Sequence, residues 1–228
     1  MVGQNIQNSR YSAKMKRRKE RRLNKLLNVK TRQKYLKSLG FYKGKIDGVE
    51  GEKTKSAYLA IQKKYFTRKQ DIDGVYGRDT DILLLNAIRV KNRTKNFRLE
   101  EFKCDCNGRY CTGYPAYLQN NLLKNIQNVR NKYKKPITVT SGLRCKGYNS
   151  ELGGSISNSK HMTGRALDFY IPGQTTTESG RLSVMGYWKS LPNSTFAYCY
   201  LPTKYRTELE RTASYMGTTG GAVHGDVK

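Results

Sequence analysis

The sequence predicts an α+β protein: a small three-helix module followed by an α+β domain with an antiparallel sheet. Two observations predict it. A nine-residue turn phrase occurs twice between residues 31 and 90, each time leading into a helix-forming stretch. Beyond residue 98, one long helical pattern gives way to short apolar segments that read as strands, and the two histidines of the chain fall on or beside those segments.

In chain order, residues 1–28 form a basic leader. The run Lys14-Met15-Lys16-Arg17-Arg18-Lys19-Glu20-Arg21-Arg22 is rich in helix formers but has almost no apolar face before Leu23, Leu26 and Leu27. A solvated, partly disordered tail is the expected form; an electrostatic anchor for an anionic surface is the alternative. Residues 29–90 form the helical module. Gln33-x-x-Leu36-x-x-Leu39 has helical spacing and stops at Gly40. Ile46-Asp47-Gly48-Val49-Glu50-Gly51-Glu52-Lys53-Thr54 then recurs as Ile72-Asp73-Gly74-Val75-Tyr76-Gly77-Arg78-Asp79-Thr80. Asp-Gly makes a turn, because the carboxylate bonds the backbone that follows and glycine accepts positive φ. The second glycine permits a further tight bend, and the threonine suits a helix N-cap. Helices are expected over 56–65 and 81–90.

Residues 91–97 are mostly polar and read as a linker; the second domain spans 98–228. Tyr117–Tyr133 carries Leu118, Leu122, Leu123, Ile126 and Val129 at helical intervals. Pro136–Thr140 reads as a strand with its proline at the start, where no ladder N–H is lost. Ala166–Ile171 is a second strand, ended by Pro172-Gly173, and Ala222–Val227 a third; residues 174–220 give no clear pattern. Alternation puts Leu167, Phe169 and Ile171 on one face and Asp168 on the other, while His224 and Asp226 share a face. If the two strands pair, His161, Asp168 and His224 can converge on one ion. Two imidazoles and a carboxylate leave a fourth zinc position open for water, the hallmark of a catalytic zinc site.

Bulk properties bound the function classes. Hydrophobic residues make up 36% of the 228, and no apolar run reaches the roughly 18 residues of a membrane span. Met1–Arg22 lacks the apolar stretch of a secretory signal, so synthesis in a host cytoplasm without its own export signal is expected. Lys and Arg total 44 against 17 acidic residues, a net charge of +27 that seeks polyanions. Nucleic acid, a wall bearing anionic polymers such as teichoic acids, and an anionic membrane surface satisfy the same physics. Five cysteines, an odd number, argue against a disulfide framework. Cys104-x-Cys106-x4-Cys111 is dense enough for a structural zinc, with Cys145 a candidate fourth ligand. The tight Cys-x-Cys spacing favours the other reading, reduced and unconnected thiols.

The first domain carries Gln33, Leu36, Leu39-Gly40-Phe41-Tyr42, Gly44, Ile46-Asp47-Gly48, Gly51, Thr54, Ala57 and Ile61-Gln62 in order. With this pattern it resembles the peptidoglycan-binding three-helix domain of cell-wall hydrolases, and the resemblance implies anchoring to bacterial peptidoglycan. In the second domain, Ser141-Gly142-x-Arg144, Asn149, Gly153-Gly154, Ser159-x-His161-x-x-Gly164-x-Ala166-x-Asp168 and Val223-His224-x-Asp226 stand in order. With these residues the domain resembles the zinc D-alanyl-D-alanine carboxypeptidase and endopeptidase family, including phage endolysins. Glu101-Phe102-x-Cys104-x-Cys106, followed by Tyr110-Cys111-x-Gly113-Tyr114-Pro115, is similar to one branch of that family.

This resemblance implies His161, Asp168 and His224 as ligands of Zn2+, Arg144 as the group binding a substrate carboxylate or developing oxyanion, and Ser159 as a loop cap or substrate contact. Zinc acidifies its water to a pKa of roughly 7, and a carboxylate then has to accept the proton. Better-known members place an acid three positions before the last histidine; here that position is Gly221. Asp226 is the nearest substitute, as the base or as the partner that orients His224. The reading is a bacteriolytic, wall-degrading metallopeptidase, an endolysin of a phage or prophage that acts on the wall after release. A non-catalytic wall-binding module is the alternative that Gly221 keeps open. A nucleic-acid-binding protein would explain the charge but lacks a recognisable motif, so no specific nucleic acid partner is expected.

Overall fold

The computed structural model describes residues 26–152, 155–199 and 221–228; most of the basic leader, and Gly153 and Gly154 of the family pattern, lie outside the described residues. Within them are six α-helices and a four-stranded sheet. The helices are α1 (Val29–Ser38), α2 (Glu52–Tyr65), α3 (Arg78–Arg93), α4 (Asn120–Tyr133), α5 (Lys146–Glu151) and α6 (Glu178–Ser190). The strands are β1 (Thr138–Ser141), β2 (Ala166–Tyr170), β3 (Ser194–Cys199) and β4 (Val223–Val227). The fold is α+β, a helical N-terminal region followed by a domain with an antiparallel sheet.

The repeated phrase builds two matching loops, each bracketed by one buried glutamine. From α1, Gln33 accepts from Gly48 N–H at 2.8 Å and donates to the Val49 carbonyl at 3.0 Å and to Asp47 at 2.8 Å. From α2, Gln62 accepts from Gly74 N–H at 2.8 Å and donates to the Val75 carbonyl at 3.0 Å and to Asp73 at 3.1 Å. Each aspartate accepts from the N–H two residues on, and Gly48 and Gly74 hold φ of 85° and 74°, the conformation the Asp-Gly pair predicts. The threonines differ from expectation. Gly51 and Gly77 are the N-caps, so α2 and α3 begin earlier than predicted. Thr54 and Thr80 sit one turn further in, buried, with hydroxyls hydrogen-bonded to Gln33 and Gln62. Bonding to a buried amide outweighs capping an exposed helix end.

Helix α3 continues through Arg93, and Thr94 and Phe97 are buried. It also packs against the second domain. Asn86 donates to the Ala116 carbonyl and accepts from Leu118 N–H, Arg89 donates to the Leu118 carbonyl, and Tyr117 donates to Asp81. These bonds use up the backbone of residues 116–118, which is why α4 starts at Asn120 rather than at Tyr117. One continuous apolar core runs from Leu36 and Tyr58 in the helical module to Phe169 and Trp188 beneath the sheet.

The strand order is β1-β2-β4-β3, every pair antiparallel. The segment whose pattern gave nothing in the sequence contains α6 and β3. Gly180 and Gly186 break the apolar pattern of α6, and β3 carries the mixed run Ser-Thr-Phe-Ala-Tyr-Cys, so neither shows a clean period.

Removing either glutamine takes the partner from one N–H and one carbonyl of a half-buried loop, at about 1 kcal/mol each. Gln33→Leu and Gln62→Leu are therefore each expected to destabilise by at least about 2 kcal/mol, and by similar amounts, since the brackets match. Urea unfolding midpoints measure this; a loss confined to one of the two would contradict the equivalence of the loops.

Candidate metal centre and active-site cleft

Strand pairing assembles the centre. Asp168 on β2 lies opposite Ser141 on β1 and His224 on β4, and His224 lies opposite Tyr198 on β3. One row across the sheet therefore reads Ser141, Asp168, His224, Tyr198. The neighbouring row sets Asp226 between Ala166 and Phe196. His161 comes from the 3-10 turn Lys160–Thr163, which Gly164 ends in a left-handed conformation just before β2.

The structure brings His161, Asp168 and His224 together: one candidate ligand atom from each lies within 4.8 Å of the others, and all three side chains are buried. Asp168 is the hub. Its Oδ1 is 2.7 Å from His224 Nδ1, and its Oδ2 is 3.5 Å from His161 Nε2. The Gly142 carbonyl is 2.8 Å from His161 Nδ1. A carbonyl only accepts, so Nδ1 carries a proton; Nε2, which faces Asp168, donates to it when the ring is protonated and offers a lone pair to a metal when the ring is neutral. On the far side of the second ring, Asp226 Oδ2 is 3.8 Å from His224 Nε2. Tyr198 stacks on His224 with ring centroids 4.4 Å apart and planes within 14°.

The electrostatics suit a cation. Burial raises the Asp168 pKa, but hydrogen bonds from His161 and His224 outweigh it and hold the carboxyl well below the usual carboxylate range. Burial dominates at His161 and lowers its pKa, which favours the neutral imidazole. At His224 burial is outweighed by Asp168 and Asp226, and the pKa rises. A buried anion flanked by two imidazoles with nitrogen atoms turned toward it is the donor set of a divalent transition metal.

The Ser141-Gly142-x-Arg144 phrase now has a physical account. Ser141 Oγ accepts from Arg144 Nε at 3.0 Å, Gly142 supplies the carbonyl that orients His161, and Arg144 Nη2 donates to Asp168 Oδ2 at 2.8 Å. A cleft of about 170 Å³ opens over the centre, lined in part by Arg144, Ser159, His161, Tyr198, His224 and Asp226. Ser159 makes no side-chain cap on its turn. Asp226 is 6% exposed; its carboxylate binds Thr195 Oγ1 and sits 3.2 Å from Lys160 Nζ. Burial raises its pKa, and bonds from His224, Thr195 and Lys160 outweigh that and lower it.

Sequence reasoning missed Ser141 as the holder of Arg144, Tyr198 as the lid on His224, and Thr195 and Lys160 as the partners of Asp226. The first lay inside a phrase already singled out. The strand β3 that supplies Tyr198 and Thr195 had no readable pattern.

The four cysteines Cys104, Cys106, Cys111 and Cys145 also come together, with all four sulfurs within 4.8 Å of one another, and none of them lines the cleft. A hydrogen bond from Cys111 pulls the Cys104 thiol down to about 5.

Residues 95–189 match the family model Peptidase M15, and residues 26–81 match the model Putative peptidoglycan binding domain. Both agree with the resemblances carried by the residues: a zinc D-Ala-D-Ala carboxypeptidase-like family over the second domain, a peptidoglycan-binding domain over the first. His224 and Asp226 lie beyond the matched segment; strand pairing is what joins them to it. A comparison with curated proteins finds no match. No helix among the described residues is long and apolar enough to cross a membrane.

The glycine between His224 and Asp226 is required by packing. A Cβ at Gly225 would lie 2.3 Å from a ring carbon of Trp188, which is fully buried and donates to the Asp226 carbonyl. Gly225→Ala is expected to cost about 1–3 kcal/mol through overpacking and to displace both flanking side chains. A thermal melt unchanged from the parent would disprove the tight fit of strand and indole.

Proposed function

We propose that this chain is a zinc-dependent peptidase that hydrolyses peptide bonds in the stem peptides or crosslinks of bacterial peptidoglycan, as an endolysin. The observation that carries the reading is the convergence of His161, Asp168 and His224 under an open cleft, in a chain that matches Peptidase M15. The peptidoglycan-binding match ahead of it supports the substrate, and the charge of +27 supports attraction to anionic wall polymers. Action on the wall after release from a cytoplasm fits that substrate, and residues 29–90 and 98–228 would be its binding and catalytic parts.

In this proposal His161, through Nε2, Asp168 and His224, through Nδ1, hold the ion. Zinc bound there supplies Lewis-acid polarisation of the scissile carbonyl and acidification of water. The chain does the rest. Gly142 fixes the His161 tautomer through its carbonyl. Arg144, held at Nε by Ser141 and at one Nη by Asp168, keeps further N–H groups for a substrate carboxylate or a developing oxyanion. Tyr198 covers one face of His224 against water. Asp226 addresses His224 at Nε2, the nitrogen opposite the ligating one, while Thr195 and Lys160 hold its other oxygen. That placement supports Asp226 as the residue that orients His224 rather than as the proton acceptor.

Mass spectrometry of purified peptidoglycan after digestion tests the reaction. New amino and carboxyl termini within stem peptides or crosslinks are expected with the parent protein and none with His161→Ala, which also loses the ion from this centre. An intact wall after treatment with the zinc-loaded parent would sink the proposal.

Asp226→Asn distinguishes the two roles of that residue. As the orienting partner it should weaken zinc affinity about 10- to 100-fold, with turnover restored by excess zinc. Full zinc occupancy with turnover cut about 100-fold or more would make Asp226 the base instead.

A further inference from the structure

We propose that Cys104, Cys106, Cys111 and Cys145 bind a second, structural zinc ion. All four are free thiols, three are buried, and their sulfurs lie within 4.8 Å of one another, with Cys106 and Cys111 3.5 Å apart. Four sulfurs at roughly 2.3 Å from a tetrahedral zinc stand about 3.8 Å from each other. The cluster therefore has the size of an ion's coordination shell and too much separation for S–S bonds, which require about 2.05 Å.

The backbone is arranged for thiolates. Cys145 N–H donates to Cys104 Sγ at 3.3 Å, Gly113 N–H to Cys111 Sγ at 3.4 Å, and Tyr148 N–H to Cys145 Sγ at 3.5 Å. Three of the four sulfurs thus accept a main-chain hydrogen bond, the contact that spreads the negative charge of a metal-bound thiolate. The loop between Cys106 and Cys111 turns back through Asn107 and Gly108, both at positive φ, and this lets so short a spacing deliver three sulfurs to one point. With no His or carboxylate in the group, four thiolates close the coordination sphere and leave no position for water, which is a structural rather than a catalytic site.

The ion would tie the 104–111 loop to Cys145, which directly follows Arg144 and caps α5 through its sulfur. It would thereby fix the backbone from which the Arg144 guanidinium reaches Asp168.

Elemental analysis of the full chain tests the proposal. The parent protein should carry two zinc ions, Cys111→Ser and Cys145→Ser one, and His161→Ala should keep the cysteine-bound ion. Cobalt substitution should give sulfur-to-cobalt charge-transfer absorption in the parent and in His161→Ala. Because a cysteine variant can fail to fold, the folded parent is also titrated with an organomercurial, which should release one zinc as the clustered thiols react. Reaction of these thiols with no zinc released, or a zinc content that Cys111→Ser leaves unchanged in folded protein, overturns it.

Discussion

The candidate centre depends on the antiparallel pairing of β2 with β4. That ladder sets Asp168 directly opposite His224, two residues that are 56 apart in the chain. Side chains alternate along a strand, so a register shift of one residue would turn His224 and Asp226 to the other face and strip the buried Asp168 carboxylate of its His224 partner. The register is held from below by Trp188, whose ring fills the space over Gly225 and whose N–H binds the Asp226 carbonyl. The glycine in His-Gly-Asp thus belongs to the core, and the two residues beside it to the cleft.

Around that ladder the chain arranges supports for each functional group. The Gly142 carbonyl sets the proton of His161, Ser141 aims Arg144, and Tyr198 stacks on His224. Each support costs little by itself. Together they hold a charged, desolvated set in one geometry, which burial would otherwise oppose. The helical module uses the same strategy at a smaller scale, where a single buried amide in each half satisfies a whole turn. Helix α3 then carries the module into the second domain through Asp81, Asn86 and Arg89, so the two parts share one core.

Much of this was legible in the residues. The Asp-Gly turns follow from local chemistry, and the strand over 166–171 follows from alternation. The paired face of His224 and Asp226 follows from a spacing of two. What was not legible has specific causes. Thr54 and Thr80 looked like helix caps because the buried glutamines that claim them lie 21 and 18 residues away. The start of α4 moved because Asn86 of α3 takes the backbone of Leu118. Strand β3 has no period because its side chains face different surroundings along its length, from half-exposed at Ser194 to buried at Cys199.

The sequence by itself determined the local pieces: two turn-and-helix units, an apolar strand bearing one carboxylate, and the residue types of the candidate metal centre. Backbone sterics and side-chain periodicity act over a few residues, so they can be read from a few residues. Only the tertiary structure decided which pieces meet. The order β1-β2-β4-β3, the insertion of β4 between strands that precede it, and the gathering of Cys145 with Cys104, Cys106 and Cys111 all depend on contacts between distant segments. Those contacts arise when apolar faces find a common core, and no local pattern encodes which faces those will be.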